Sequence, residues 1–232
     1  MKSNSHMQML DPLVLFNWKS LHQDYDDLCK KKFDPSVPFL YSLSPRPGSD
    51  RSLYYSLVER FAHELNSPTG ITIGTYEAML YWKLYSQPAA VANTCKGLRQ
   101  SASLQDIVSR ALNKLSAQLR GTAGAISARP LDQVQGLGLY GIWGMKSSTA
   151  LPVRTTFLHF VEPSAMPIFD KQVLLAVGVK DKKANEKIAF LQLYLPHART
   201  LASRYSNCFA IFKTETPIRL IDMALWVVRG GC

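Results

Sequence analysis

The chain has 232 residues, 47% hydrophobic and 19% charged, which excludes a disordered protein and suits one domain or two tightly packed halves. Its 27 Lys and Arg against 17 Asp and Glu leave a net charge of +10. That excess favours a polyanionic partner, because each phosphate a cation neutralises releases counterions; a basic protein that binds no nucleic acid is the plainer alternative.

Residues 11–32 carry Leu13, Phe16, Leu21, Tyr25 and Leu28 at helical spacing. They end in Lys30-Lys31-Lys32, cations that suit a helix C-terminus as a solvated end better than a DNA patch. Pro35, Pro38, Pro45 and Pro47 make 33–49 an extended linker. The chain therefore divides into an N-terminal helix with a Pro-rich linker (1–48) and a helical domain (49–232). Ser49 or Asp50 caps a helix whose Leu53, Leu57, Phe61 and Leu65 form one row, stopped by Asn66-Ser67-Pro68. A third helix over 72–85 places Tyr76, Met79, Leu80 and Leu84 on one face. Its Tyr81, Trp82 and Tyr85 are either core or a platform on which bases stack. Residues 88–99 read as a short helix or turn. Ser101 or Ser103 then opens the most regular helix, with Leu104, Ile107, Val108, Ala111, Leu112, Leu115 and Leu119 in one stripe.

Gly121 and Gly124 interrupt the chain, and residues 125–134 form a helix leading into a stretch with glycines at 136, 138, 141 and 144. Lys146-Ser147-Ser148-Thr149 supplies small donors, and a mostly apolar helix follows from Leu151 to Val161, with Pro152 tolerated in its first turn. Glu162-Pro163 ends it. Asp170, after Pro167-Ile168-Phe169, stands where it can cap the helix that opens at Lys171. Residues 180–187 hold four lysines, read as a solvated turn rather than a phosphate contact. The spacing predicts a helix over 188–208 kinked at Pro196, and a last helix over 218–228 with Ile221, Leu225 and Val228 inward. No alternating strand pattern persists. The expected architecture is an all-α compact multi-helix bundle of roughly eight to ten helices.

The glycine-spaced loop, the helix, and the Asp at a following helix start resemble the helix-hairpin-helix DNA glycosylase superfamily. The 8-oxoguanine glycosylase-like branch is the nearer likeness, through FLHFVEPSAMPIFDKQV at 157–173 and PIRLIDMALWVV at 217–228. Two positions depart from that pattern. Ala150 stands where the hairpin's last glycine belongs, and Pro152 where bifunctional members carry a Schiff-base lysine. The resemblance implies a bundle of the helix-hairpin-helix type, a DNA partner held by its duplex backbone, and no metal or organic cofactor. It implies a monofunctional glycosylase that flips a base and hydrolyses its N-glycosidic bond with Asp170 as the carboxylate. Asp170 as a simple helix cap is the rival reading, and the two are compatible. Lys146, Ser147, Ser148, Thr149, Arg154 and Lys171 are the candidate phosphate contacts, against an ordinary inter-helix loop.

Lys146 as a displaced nucleophile is disfavoured by its position. His159 on an apolar helix reads as a satisfied core histidine. Asp222, three residues after Arg219, reads as a structural ion pair. Trp143 and Trp226 are core residues or stack on a flipped base. The alternative function is a catalytically inactive module that binds nucleic acid or a protein on the same scaffold. Cys29, Cys95, Cys208 and Cys232 lack zinc or iron–sulfur spacing. With no membrane-spanning run and no signal-peptide core, the expected location is cytoplasmic, nucleoid or nuclear, not secreted.

Overall fold

A computed structural model of the chain describes residues 9–40, 43, 46–120, 142–145 and 150–229. Among these residues the chain forms ten α-helices with short 3-10 turns and no strand, so it is all-α. No helix among them is long and apolar enough to cross a membrane. The predicted lead-in helix at 125–134 and the glycines at 121, 124, 136, 138 and 141 lie outside the described residues.

The first segment is helical over a shorter span than its apolar spacing predicts. Helix α1 covers Leu21–Lys30 and follows a 3-10 turn, Trp18–Ser20. Upstream, the Asp11 carboxylate accepts the Leu13 amide at 3.0 Å and the Asn17 side chain accepts the Lys19 amide at 3.3 Å. Such local bonds offer the backbone an alternative to helix. Helix α2, Asp50–Asn66, starts at Ser49, whose hydroxyl and that of Ser52 cap each other's amides reciprocally. Its row of Leu53, Leu57, Phe61 and Leu65 is buried as the spacing predicts.

Helix α3, Ile73–Leu84, is capped by Thr72 and buried on nearly every side, as befits an element at the centre of a bundle. Tyr81 and Trp82 belong to its core side. Helix α4 (Pro88–Val91), a π turn (Ala92–Lys96) and α5 (Gly97–Gln100) lead to α6 (Ala102–Leu119), capped by Ser101. Val108, Leu112, Leu115 and Leu119 of its stripe are buried, whereas Ile107 faces outward at 52% exposure. Helix α7 spans Leu151–Val161, α8 Lys171–Ala176, α9 Ile188–Arg204 with Pro196 inside it, and α10 Pro217–Arg229.

Two buried clusters hold these helices. One runs from Leu43 to Ile168 and is built on α2, α3, α6 and α7. The other joins Met9 to Cys29 with Phe169 onward through α8, α9 and α10. The N-terminal piece is thus not set apart by the prolines that follow it. Helix α1 lies against α10, because ten residues with a buried stripe of Leu21, Tyr25 and Cys29 need a partner face to be stable. Residues 33–40 of the Pro-rich stretch are themselves docked. Phe33, Val37, Phe39 and Leu40 lie on the first cluster, the Leu40 amide donates to Glu77 at 2.6 Å, and the Tyr81 hydroxyl donates to the Asp34 carbonyl at 2.8 Å. The chain passes from one cluster to the other between Ile168 and Phe169, one residue before Asp170.

Candidate functional site

At the seam of the two clusters lies a cavity of about 40 Å³. Its interior is made by Tyr25 of α1, Asp50 of α2, Trp82 of α3, and Arg219 and Asp222 of α10, all buried. Lys83, Tyr85, Ser86, Asp170 and Trp226 are partly exposed and form its mouth.

Asp170 is extended (φ −139°, ψ 175°) and caps α8, its Oδ1 accepting the amides of Gln172 at 2.9 Å and Val173 at 3.1 Å. Its Oδ2 accepts from Lys83 Nζ at 2.8 Å and, more weakly, from Trp226 Nε1 at 3.5 Å. The cap and the cavity-facing carboxylate are therefore one residue. Burial works to raise the Asp170 pKa. The Lys83 ammonium outweighs it with help from the Val173 amide and Trp226, so the carboxyl lies below its ordinary value.

Asp222 has the opposite balance. Burial carries its pKa up to about 7, against the Ile168 amide (3.0 Å to Oδ2) and the Arg219 charge, while the Asp170 charge adds to the rise. The Tyr194 hydroxyl donates to Oδ1 at 3.2 Å. Two carboxyls of one cavity are split, one ionised and one near half-protonated at neutral pH, the pattern that separates acid from base roles in active sites.

The expected Arg219–Asp222 pair is not made. Arg219 points into an aromatic cage, with its guanidinium carbon 4.4 Å from the Tyr54 ring centre, 5.1 Å from Tyr25 and 5.2 Å from Trp82. Its Nη2 donates to the Tyr25 hydroxyl at 2.8 Å and lies 4.0 Å from Asp50 Oδ2. Tyr25 in turn donates to that same oxygen at 3.0 Å. Three aromatic faces and a carboxylate from another helix outcompete a neighbour one turn away. Asp50 itself is buried, which raises its pKa against the opposing Arg219 charge.

His159 is the satisfied core histidine its apolar helix suggests. Nδ1 lies 2.6 Å from the Met166 carbonyl and Nε2 2.8 Å from the Tyr54 hydroxyl, and burial drops its pKa to about 3. The ring is therefore neutral, with its proton on Nδ1 and Tyr54 donating to Nε2.

The candidate phosphate contacts fare unequally. Lys146, Ser147, Ser148 and Thr149 lie outside the described residues. Arg154 departs from its expected role: it is 4% exposed and donates from Nη1 to the Met145 carbonyl at 2.7 Å. Helix α7 turns that position inward, so its charge serves the backbone beside Gly144 (φ +86°) and not an outer rim. Lys171 is exposed beside Asp170. Trp143 is held by Tyr76, whose hydroxyl donates to its carbonyl at 2.6 Å, and by its own Nε1 bond to the Thr94 carbonyl at 3.0 Å. It takes no part in the cavity, whereas Trp226 does.

Lys83 and Asp50 were not singled out from the sequence as site residues, whereas Trp82, read there as core or a base-stacking platform, is buried and lines the cavity. Asp50 carried only a helix-start signal, and Lys83 carried none. Among the described residues no group of three or more His, Cys, Asp or Glu is placed to hold a metal ion. No protein-family model, curated protein or solved structure matches the chain.

Proposed function

We propose that the chain acts on nucleic acid as a monofunctional N-glycosyl hydrolase of the helix-hairpin-helix type, with Asp170 as its catalytic carboxylate. The observation that carries this reading is an ionised Asp170 at the mouth of an aromatic-walled cavity whose interior holds a second carboxyl of near-neutral pKa. As the bond from base to sugar breaks, the sugar becomes cationic, and a fixed carboxylate at the mouth lowers that barrier. The same group can orient or deprotonate the attacking water. Asp222, deeper in, is suited to give a proton to the leaving base. Lys83 holds the Asp170 charge in place, and Lys171 adds positive charge next to the mouth for a phosphodiester strand. A cavity that admits benzene measures roughly 150 Å³, so at about 40 Å³ a base enters only when the mouth side chains move aside.

The second reading is a module that binds nucleic acid or a protein without catalysis. It is favoured by an Asp170 whose oxygens are engaged by two amides and by Lys83. The inward turn of Arg154 also supports it. A panel of lesion-bearing duplexes separates the two when wild type and Asp170→Asn are assayed together. Base release by wild type alone, with DNA binding retained in the variant, is expected. Salt-sensitive binding with no base released from any duplex supports the module instead.

A further inference from the structure

Residues 166–170 join α7 to α8 as neither helix nor strand, yet 166–169 are buried. Buried amides need partners, and with no neighbouring strand these take them from side chains. Pro167 has no N–H to place. The Ile168 amide donates to Asp222 Oδ2 at 3.0 Å, and the Phe169 amide to Thr155 Oγ1 at 3.2 Å.

The two bonds are crossed at the seam of the clusters. Ile168 packs in the first cluster and is gripped from α10 of the second. Phe169 packs in the second and is gripped from α7, most of which belongs to the first. One residue further on, the Lys83–Asp170 pair bridges the same seam, from α3 to the start of α8. The Phe169–Thr155 bond is thus a neutral tie beside an ionic one, and it fixes the main chain from which the Asp170 carboxylate hangs.

Thr155 is suited to that work. Its Oγ1 donates to the Pro152 carbonyl at 3.0 Å, which turns the hydroxyl hydrogen away and leaves a lone pair for the Phe169 amide. The side chain is buried, carries no charge and does not line the cavity, so it reaches Asp170 only through the backbone. Asp222 grips the same segment, but it lines the cavity itself, and replacing it changes both at once.

We infer that Thr155 is a positioning residue for Asp170: its hydroxyl, by holding the Phe169 amide, keeps the carboxylate against Lys83 at the cavity mouth. The inference rests on the proposed hydrolase only in taking Asp170 as the group whose placement sets the rate. The placement itself is tested without catalysis.

The carboxyl carbon resonance of Asp170, assigned by its loss in Asp170→Asn, is titrated by NMR in the full chain. Burial works to raise Asp170 and Lys83 chiefly opposes it, so a carboxylate drawn away from Lys83 titrates at higher pH. Thr155→Val, which keeps the shape and loses the acceptor, is expected to move the midpoint up. Thr155→Ser, which keeps the hydroxyl, is expected to return it to the wild-type position. Should Thr155→Val fold poorly, Thr155→Cys, whose thiol is only a weak acceptor, is expected to move it the same way. On a duplex that wild type processes, Thr155→Val should lower kcat about 10- to 100-fold with KM unchanged, as misplacing a reacting group by up to about 1 Å does. An unmoved midpoint in Thr155→Val, or an equal rise in Thr155→Ser, overturns the inference. So does equal kcat for wild type and Thr155→Val, which leaves the hydrolase standing. A midpoint that moves as expected, with no base released from any duplex by wild type, keeps the tie and sinks the hydrolase.

Discussion

Replacing Asp170 by Asn separates its two roles. The side-chain oxygen can still accept the Gln172 and Val173 amides, so the cap contribution of about 1 kcal/mol is kept. What is lost is the charge opposite Lys83. The Lys83 and Asp170 side chains are 11% and 14% exposed, closer to a buried pair than a surface one. Breaking a buried pair from one side costs about 3–5 kcal/mol and an exposed pair about 0.2–1. The intermediate setting gives about 2–3 kcal/mol for Asp170→Asn. Lys83→Met removes the other partner, and the double variant leaves no orphaned charge, so the cycle should show a coupling of about 1–3 kcal/mol.

Urea unfolding of all four proteins at pH 7, read at constant m-value, measures it. The pH dependence has a definite sign. The folded Asp170 pKa lies below its ordinary 3.8, so its stabilisation is present above that value and lost as pH falls through the folded pKa. The gap between wild type and Asp170→Asn should accordingly persist at neutral pH and close in strong acid. Additivity of the two substitutions within about 0.5 kcal/mol would refute the pair as a structural interaction.

Asp222 titrates the other way: with a folded pKa of about 7 against 3.8, it holds stability below pH 4 that drains away as pH rises to 7. Asp222→Asn should therefore gain on wild type between pH 4 and 8 by about 2–4 kcal/mol, and parallel stability–pH curves from chemical unfolding would contradict this. Lys171→Ala is expected to reduce the salt slope of nucleic-acid binding by about 1, whereas Arg154→Leu should leave that slope unchanged. A fall in slope for Arg154→Leu, measured by anisotropy titrations at several salt concentrations, would return Arg154 to the interface. Gly70 has φ +66°, and an added Cβ would meet the Ser116 Cβ at 2.6 Å. Gly70→Ala should cost about 2–4 kcal/mol from backbone strain and overpacking, and an unchanged melting temperature would count against that turn.

The reach of sequence reasoning differs from residue to residue. The cap at Ser49, the α2 row and the bounds of α7 were legible because caps and apolar stripes are set within a few neighbouring residues. Asp170 was found the same way, as an acceptor after Pro167-Ile168-Phe169. Its partner Lys83 stands 87 positions earlier, and no spacing rule connects them. Arg219 shows how local spacing misleads. The Asp three residues on is the obvious mate by periodicity, yet Tyr25, 194 positions away, receives its hydrogen bond and Asp50 its charge. Arg154 reads as a surface cation until the rotation of α7 is known, and then it is buried.

By itself, then, the amino-acid order determined that this chain is helical, where several of its helices begin, and that a carboxylate stands at the start of α8. Only the tertiary structure decided that α1 closes the C-terminal core, that Asp50 and Asp222 share a cavity with Asp170, and that burial pushes the first two carboxyls up while Lys83 holds the third down. The reason is one of range. Helix formation and capping depend on bonds spanning three or four residues, but desolvation and ion pairing depend on which faces meet, and that is set by packing of the whole bundle.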